Sequence, residues 1–156
     1  MNLHSIRCRK CTRRVLSQFS RKILPLIVLL WCSTAHADDW NPPRNPNPDA
    51  ILDEAQADTQ AGRYKIALAK HVWFHENSLS IEPSLYGVRL SFALSDWIEL
   101  AKQYPPALSK LKEIRDKAKE NVVAQKKVRE SFHEMESIND HLGEHSKTRE
   151  FFEKPG

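Results

Sequence analysis

The chain has 156 residues, 28% of them Asp, Glu, Lys or Arg, and a formal net charge of +4, which is room for one ordinary domain. Seven of its 24 Lys and Arg residues fall in the first 22 positions, where there is no acid, so the remainder sets 17 cations against 20 acids, a formal −3. The excess of positive charge therefore belongs to one end, and the rest of the chain gives no support to nucleic-acid binding.

Arg7, Arg9, Lys10, Arg13, Arg14, Arg21 and Lys22 precede an apolar run from Ile23 to Trp31, which gives way to Ala35-His36-Ala37. That run is well short of the roughly 20 residues a spanning helix needs, and the small-x-small triplet is the form of a secretory cleavage site. Residues 1–37 are thus expected to be a signal peptide, cleaved before Asp38, with an uncleaved anchor as the competing reading. Thr12-Arg13-Arg14 is only a loose twin-arginine match, and bulky Trp31 before Cys32 disfavours lipoprotein processing. Cys8, Cys11 and Cys32, the only cysteines, all lie in this leader. The expected exported body thus has no disulfide, thiol nucleophile or thiolate metal site, and it must be held by an apolar core.

Residues 38–48 hold four prolines in eleven positions, which forbids helix and sheet ladder alike and predicts an extended tether. Asn47-Pro48-Asp49 then supplies an N-cap, a first-turn proline and an acid at the positive end of a helix dipole. Residues 49–154 read as one all-α domain of six helical stretches. The first, about 49–61, stops at Gly62. The second, about 64–79, carries Ala67, Leu68, His71, Phe74, Ser78 and Leu79 on one face. The third, about 84–103, is apolar nearly all round, with Phe92 among its core positions, and is expected to be buried on two sides. Tyr104-Pro105-Pro106 leads into the fourth, which runs to about residue 121. Val128, Phe132, Met135, Ile138 and Leu142 are the stripe of the fifth, which closes at Gly143, and the sixth, about 146–154, holds Phe151 and Phe152.

Gly62-Arg63-Tyr64-Lys65-Ile66-Ala67-Leu68, with Pro83 downstream, resembles the helix–helix corner and closing proline of a tetratricopeptide repeat. The resemblance implies that Gly62 turns the corner, that Tyr64 packs over it and that Ala67 lets two helices approach closely. It further implies that Pro83 ends the second helix and that Gly143 repeats the corner in a last, shortened pair. The expected architecture is about three antiparallel helix pairs stacked as a short solenoid. Departures from the pattern are Ile51, Glu54, Ala55 and Asp58 at the first-helix signature positions, and a second helix one turn longer than the family's.

Candidate chemistry is sparse. His71 and His75 lie four apart on one helical face, the spacing that lets two imidazoles reach one metal ion, but His71 also falls at an inward position, where a hydrogen-bonded core histidine is expected. His133, His141 and His145 sit among Glu134, Glu136, Asp140 and Glu144 and read as a solvated face. Arg89, Asp96 and Trp97 stand on the apolar third helix, where a buried charge requires a partner. Arg89 would either be tied to an acid such as Glu54 or Asp58, or face a concave groove as a binding anchor beside Trp97, with Trp73 as a further partner contact. The expected function is a non-enzymatic module of the cell envelope that binds a protein or peptide partner, without a cofactor. The competing class is a small metal-binding protein or metal-dependent enzyme using His71 and His75.

Overall fold

The structure is a computed structural model, and it describes residues 39–153. The cationic leader, its apolar run and Ala35-His36-Ala37 lie outside the described residues. Among the described residues every regular element is helical, and no helix is long and apolar enough to cross a membrane.

Asn47 is extended and its side chain accepts the Ala50 N–H at 3.1 Å, so helix α1, Pro48–Gln60, begins as the cap sequence predicts. It ends at Gly62, whose φ of +75° allows a double closure: Gly62 N–H bonds the Thr59 carbonyl at 3.1 Å and Arg63 N–H bonds that of Asp58 at 2.9 Å. Helix α2 then runs Tyr64–Ile81. It stops where Glu82 turns extended (φ −137°, ψ 93°), the conformation that Pro83 imposes on the residue before it.

The third stretch is not one helix. Pro83–Leu85 forms a 3-10 turn, Tyr86–Leu90 forms α3, and Phe92–Gln103 forms α4. Ser91 separates them at φ −127°, ψ −88°, and its hydroxyl donates to the Gly87 carbonyl at 2.8 Å. Serine competes for backbone groups in this way, which is why it weakens a helix interior. Phe92, the first residue of α4, is 72% exposed. The expectation of a continuous helix with Phe92 in the core is therefore corrected.

Tyr104 repeats the pre-proline geometry of Glu82 and starts helix α5, Pro105–Val123. Helices α6, Val128–His141, and α7, His145–Glu153, follow. α6 closes on Gly143 (φ +69°) with the same pair of bonds as α1, at 3.0 and 2.8 Å, and α5 closes likewise on Gln125, whose φ of +56° is left-handed without being glycine.

Successive helices pack on one another, and alternate ones touch as well. α1 lies against α2, while α4 meets α1, α2 and α5, and α6 meets α3, α4, α5 and α7. The main core joins Ala67 of α2 to Leu94, Trp97 and Leu100 of α4, Ala107 and Leu111 of α5, and Ile138 of α6. Ala67 thus belongs to the core that α2 shares with α4 and α5. Tyr64 and Tyr104, the residues leading into α2 and α5, stack with ring centroids 6.0 Å apart. A smaller core gathers Leu52, Phe74, Leu85 and Ala93.

The proline-rich segment, described from Asp39 onward, is held to α2. Asp39 pairs with Lys65 at 2.9 Å, and Trp40 meets the edge of Trp73 at 6.2 Å while lying 5.8 Å from the Lys70 ammonium.

Candidate functional site

Two polar assemblies stand out. The first is centred on Trp97, which is 1% exposed and donates its indole N–H to the Ala107 carbonyl at 3.0 Å; its outer members His75, Arg89 and Glu134 line a cavity of about 320 Å³ against α5. His71 stacks on its ring at 5.5 Å and His75 meets it nearly perpendicular at 6.0 Å. The four-residue spacing of the histidines brings both to the indole, not to a shared ion. Trp97 as a groove anchor is corrected by its burial, while Trp73 is half-buried with the edge of Trp40 against it.

His75 Nε2 lies 2.5 Å from Glu134 Oε1. Arg89 donates through Nε to the His75 carbonyl at 2.7 Å and through Nη2 to the same Glu134 oxygen. Arg89 Nη2 is also 2.9 Å from His75 Nε2, but that nitrogen cannot both donate to the carboxylate and accept from the guanidinium. The short approach to the carboxylate fixes the choice: Nε2 carries the proton and Arg89 serves Glu134. Burial pushes the His75 imidazole below its ordinary value, against the pull of Glu134. Burial would raise Glu134, yet the hydrogen bond from His75 and the charge of Arg89 hold it below the usual carboxylate range.

Arg89 is therefore a structural ion-pair partner. The acid it pairs with is Glu134 of α6, not Glu54 or Asp58 as the sequence suggested. Those two take Lys70, at 2.7 and 2.8 Å, and Asp58 also takes Arg63 at 2.6 Å. The reason is topological: α3 packs against α6, which no local spacing announces.

His71 is 1% exposed and neither ring nitrogen has a hydrogen-bond partner among the described residues. It is a core residue as expected, but not a hydrogen-bonded one. Burial depresses its pKa to about 4, so it is neutral near pH 7. His133 meets the Tyr86 hydroxyl at 3.0 Å, His141 the Ser137 carbonyl at 2.8 Å and His145 Asp140 at 2.7 Å. Among the described residues no three His, Cys, Asp or Glu side chains converge as metal ligands.

The second assembly is a groove of about 430 Å³ between α1 and α4. Gln56, Thr59 and Gln60 line it from α1, and Asp96, Glu99 and Gln103 from α4, with Tyr64 beside them. Asp96 is half-buried, and Gln56 Nε2 approaches it at 3.4 Å, the long limit of a hydrogen bond. Burial raises its carboxyl pKa, and the charges of Asp53 and Glu99 raise it further. Of the residues singled out from sequence, Asp96 and Tyr64 reach this groove. Its glutamines and threonine carry no sequence signal, since polar residues on an outer helix face are the ordinary case.

Comparison with protein-family models, with curated proteins and with solved structures yields no match.

Proposed function

We propose that this protein is an exported, non-enzymatic helical-repeat module, a short tetratricopeptide-like solenoid whose α1–α4 groove receives a protein or peptide partner in the cell envelope. The observation that carries the reading is the groove itself, an open, amide-lined channel between the first helices of two consecutive pairs. Three features support the solenoid arrangement. α4 packs into the space left by α1 and α2, as the first helix of a following pair does; α6 repeats that relation to α4 and α5; and the corners at Gly62 and Gly143 close by the same bonds.

The metal or enzyme alternative rests on His71 and His75, and their surroundings do not favour it. His71 is sealed against Trp97, and His75 Nε2 is engaged by Glu134. A ligand or general base needs an accessible lone pair.

The experiment is capture from a cell-envelope extract on immobilised protein, beside a Gln60→Arg variant that places a bulky cation in the groove. The proposal predicts a protein retained by the wild type and lost with the variant. Equal recovery by both would assign any binding to another face, and near-stoichiometric metal in place of a partner would favour the alternative.

A further inference from the structure

The α1–α4 groove differs from the rest of the molecule in how its charge is met. Asp58, buried on α1, has Arg63 and Lys70 against it, and Glu134 has Arg89. Asp96 is half-buried too, yet among the described residues no cation lies within ion-pair distance of it. Its charged neighbours, Asp53 and Glu99, are acids, and Glu99 alone is partly neutralised, by Lys102 at 2.5 Å. Withdrawing a carboxylate from water without a counter-charge is costly, so proteins rarely leave one in this state without cause.

The second observation is independent of charge. Phe92 stands one helical turn before Asp96, on the same face of α4, and is 72% exposed. It is the first residue of α4, directly after the break at Ser91. A large exposed aromatic beside a polar channel is the composition of a binding hot spot. Gln56, Gln60 and Gln103 around the channel offer amide donors and acceptors suited to the backbone of an extended chain.

We infer that the groove takes an extended segment of a partner protein that places a Lys or Arg side chain against Asp96 and an apolar side chain on Phe92. This rests on the interaction reading above and specifies the partner's chemistry. The incoming cation supplies the counter-charge Asp96 lacks, and Phe92 offers apolar contact and a ring face to the cation's stem. An acidic segment would meet Asp53, Asp96 and Glu99 as like charges and be repelled.

The test uses the protein as recovered from cells and short fluorescent peptide libraries, each with its central residue fixed as Arg, Lys, Ala, Asp or Glu and all other positions mixed. Binding is read by anisotropy at about 0.15 M salt, where surface attraction is screened. The Arg- and Lys-centred pools are expected to bind at least about tenfold more tightly than the Asp- and Glu-centred ones. Asp96→Lys should abolish that preference, and Phe92→Ser should weaken the Arg- and Lys-centred pools several-fold. Because no cation among the described residues pairs with Asp96 and Phe92 is exposed, thermal melts of both variants should match the wild type. Tight binding by the Ala-, Asp- or Glu-centred pools that Phe92→Ser weakens would overturn the cationic assignment and leave the groove reading standing. Binding by none of the pools would overturn both, as would basic pools indifferent to Asp96→Lys and Phe92→Ser.

Discussion

His71 shows how one side chain can be read correctly for location and wrongly for bonding. Its place on the apolar face of α2 put it inside, and it is inside, but Trp97 covers it with a carbon ring, so neither nitrogen finds a partner. Burial therefore acts unopposed, and the imidazole titrates near 4 in the folded chain against an ordinary 6.5. The folded state thus resists a proton that the unfolded chain accepts. Its contribution is complete above about pH 6.5 and is lost as the pH falls through 4, about 3 kcal/mol in all. His71→Leu removes both the titration and two unpartnered nitrogens, so it is expected to stabilise the protein near pH 7 by about 1 to 2 kcal/mol. Denaturant melts from neutral pH down to about pH 4.5 should show the variant losing less stability than the wild type. An equal acid-side loss in both would mean that His71 is hydrated or bonded in solution.

Among the elements, α2, α4 and α5 share the main core, and Ala67 is the fully buried residue that α2 gives to it. Its side chain is fully buried in the cluster built by Leu94, Trp97, Leu100, Ala107 and Leu111. Ala67→Leu should overpack that junction and cost about 1 to 3 kcal/mol in a denaturant melt; a change within a few tenths would mean that the junction has room. Arg89 belongs to the same scale, because it ties α3 to α6. Removing it leaves Glu134 poorly solvated with only His75 to compensate, so Arg89→Ala should cost about 3 kcal/mol while leaving partner binding at the α1–α4 groove intact. A double-mutant cycle with Glu134→Ala should return a coupling of about 1 kcal/mol or more, and a coupling near zero would remove the pair as a link between these helices. Caps and corners were legible here: Asn47, Pro48, Gly62, Pro83 and Gly143 act on neighbours a few residues away, so local spacing exposes them. The break at Ser91 was hidden under a run of apolar residues that fits a helix equally well. The partner of Arg89 was hidden because 45 residues separate it from Glu134. The groove escaped for a similar reason, since Gln56 and Asp96 meet only through the packing of α1 on α4.

At the scale of the whole molecule, among the described residues α1 packs on α2, α4 meets α1, α2 and α5, and α6 meets α3, α4 and α5. A groove lies between α1 and α4, and α3 is tied to α6 through Arg89, Glu134, Tyr86 and His133. The proposed partner would occupy that groove. If the leader is removed as Ala35-His36-Ala37 suggests, N-terminal sequencing of the protein from the cell envelope should begin at or within a few residues of Asp38, whereas an intact Met1 on membrane-free protein would contradict export. The most direct measurement of the central claim is site-specific photocrosslinking in living cells, with the reactive side chain placed at Gln60 in the groove or at Lys117 on the exposed side of α5. The account predicts one discrete crosslinked partner from position 60, lost when Asp96 is changed to Lys, and none from position 117. Crosslinks from position 117 alone, or an unchanged adduct from position 60 in the Asp96→Lys background, would contradict it.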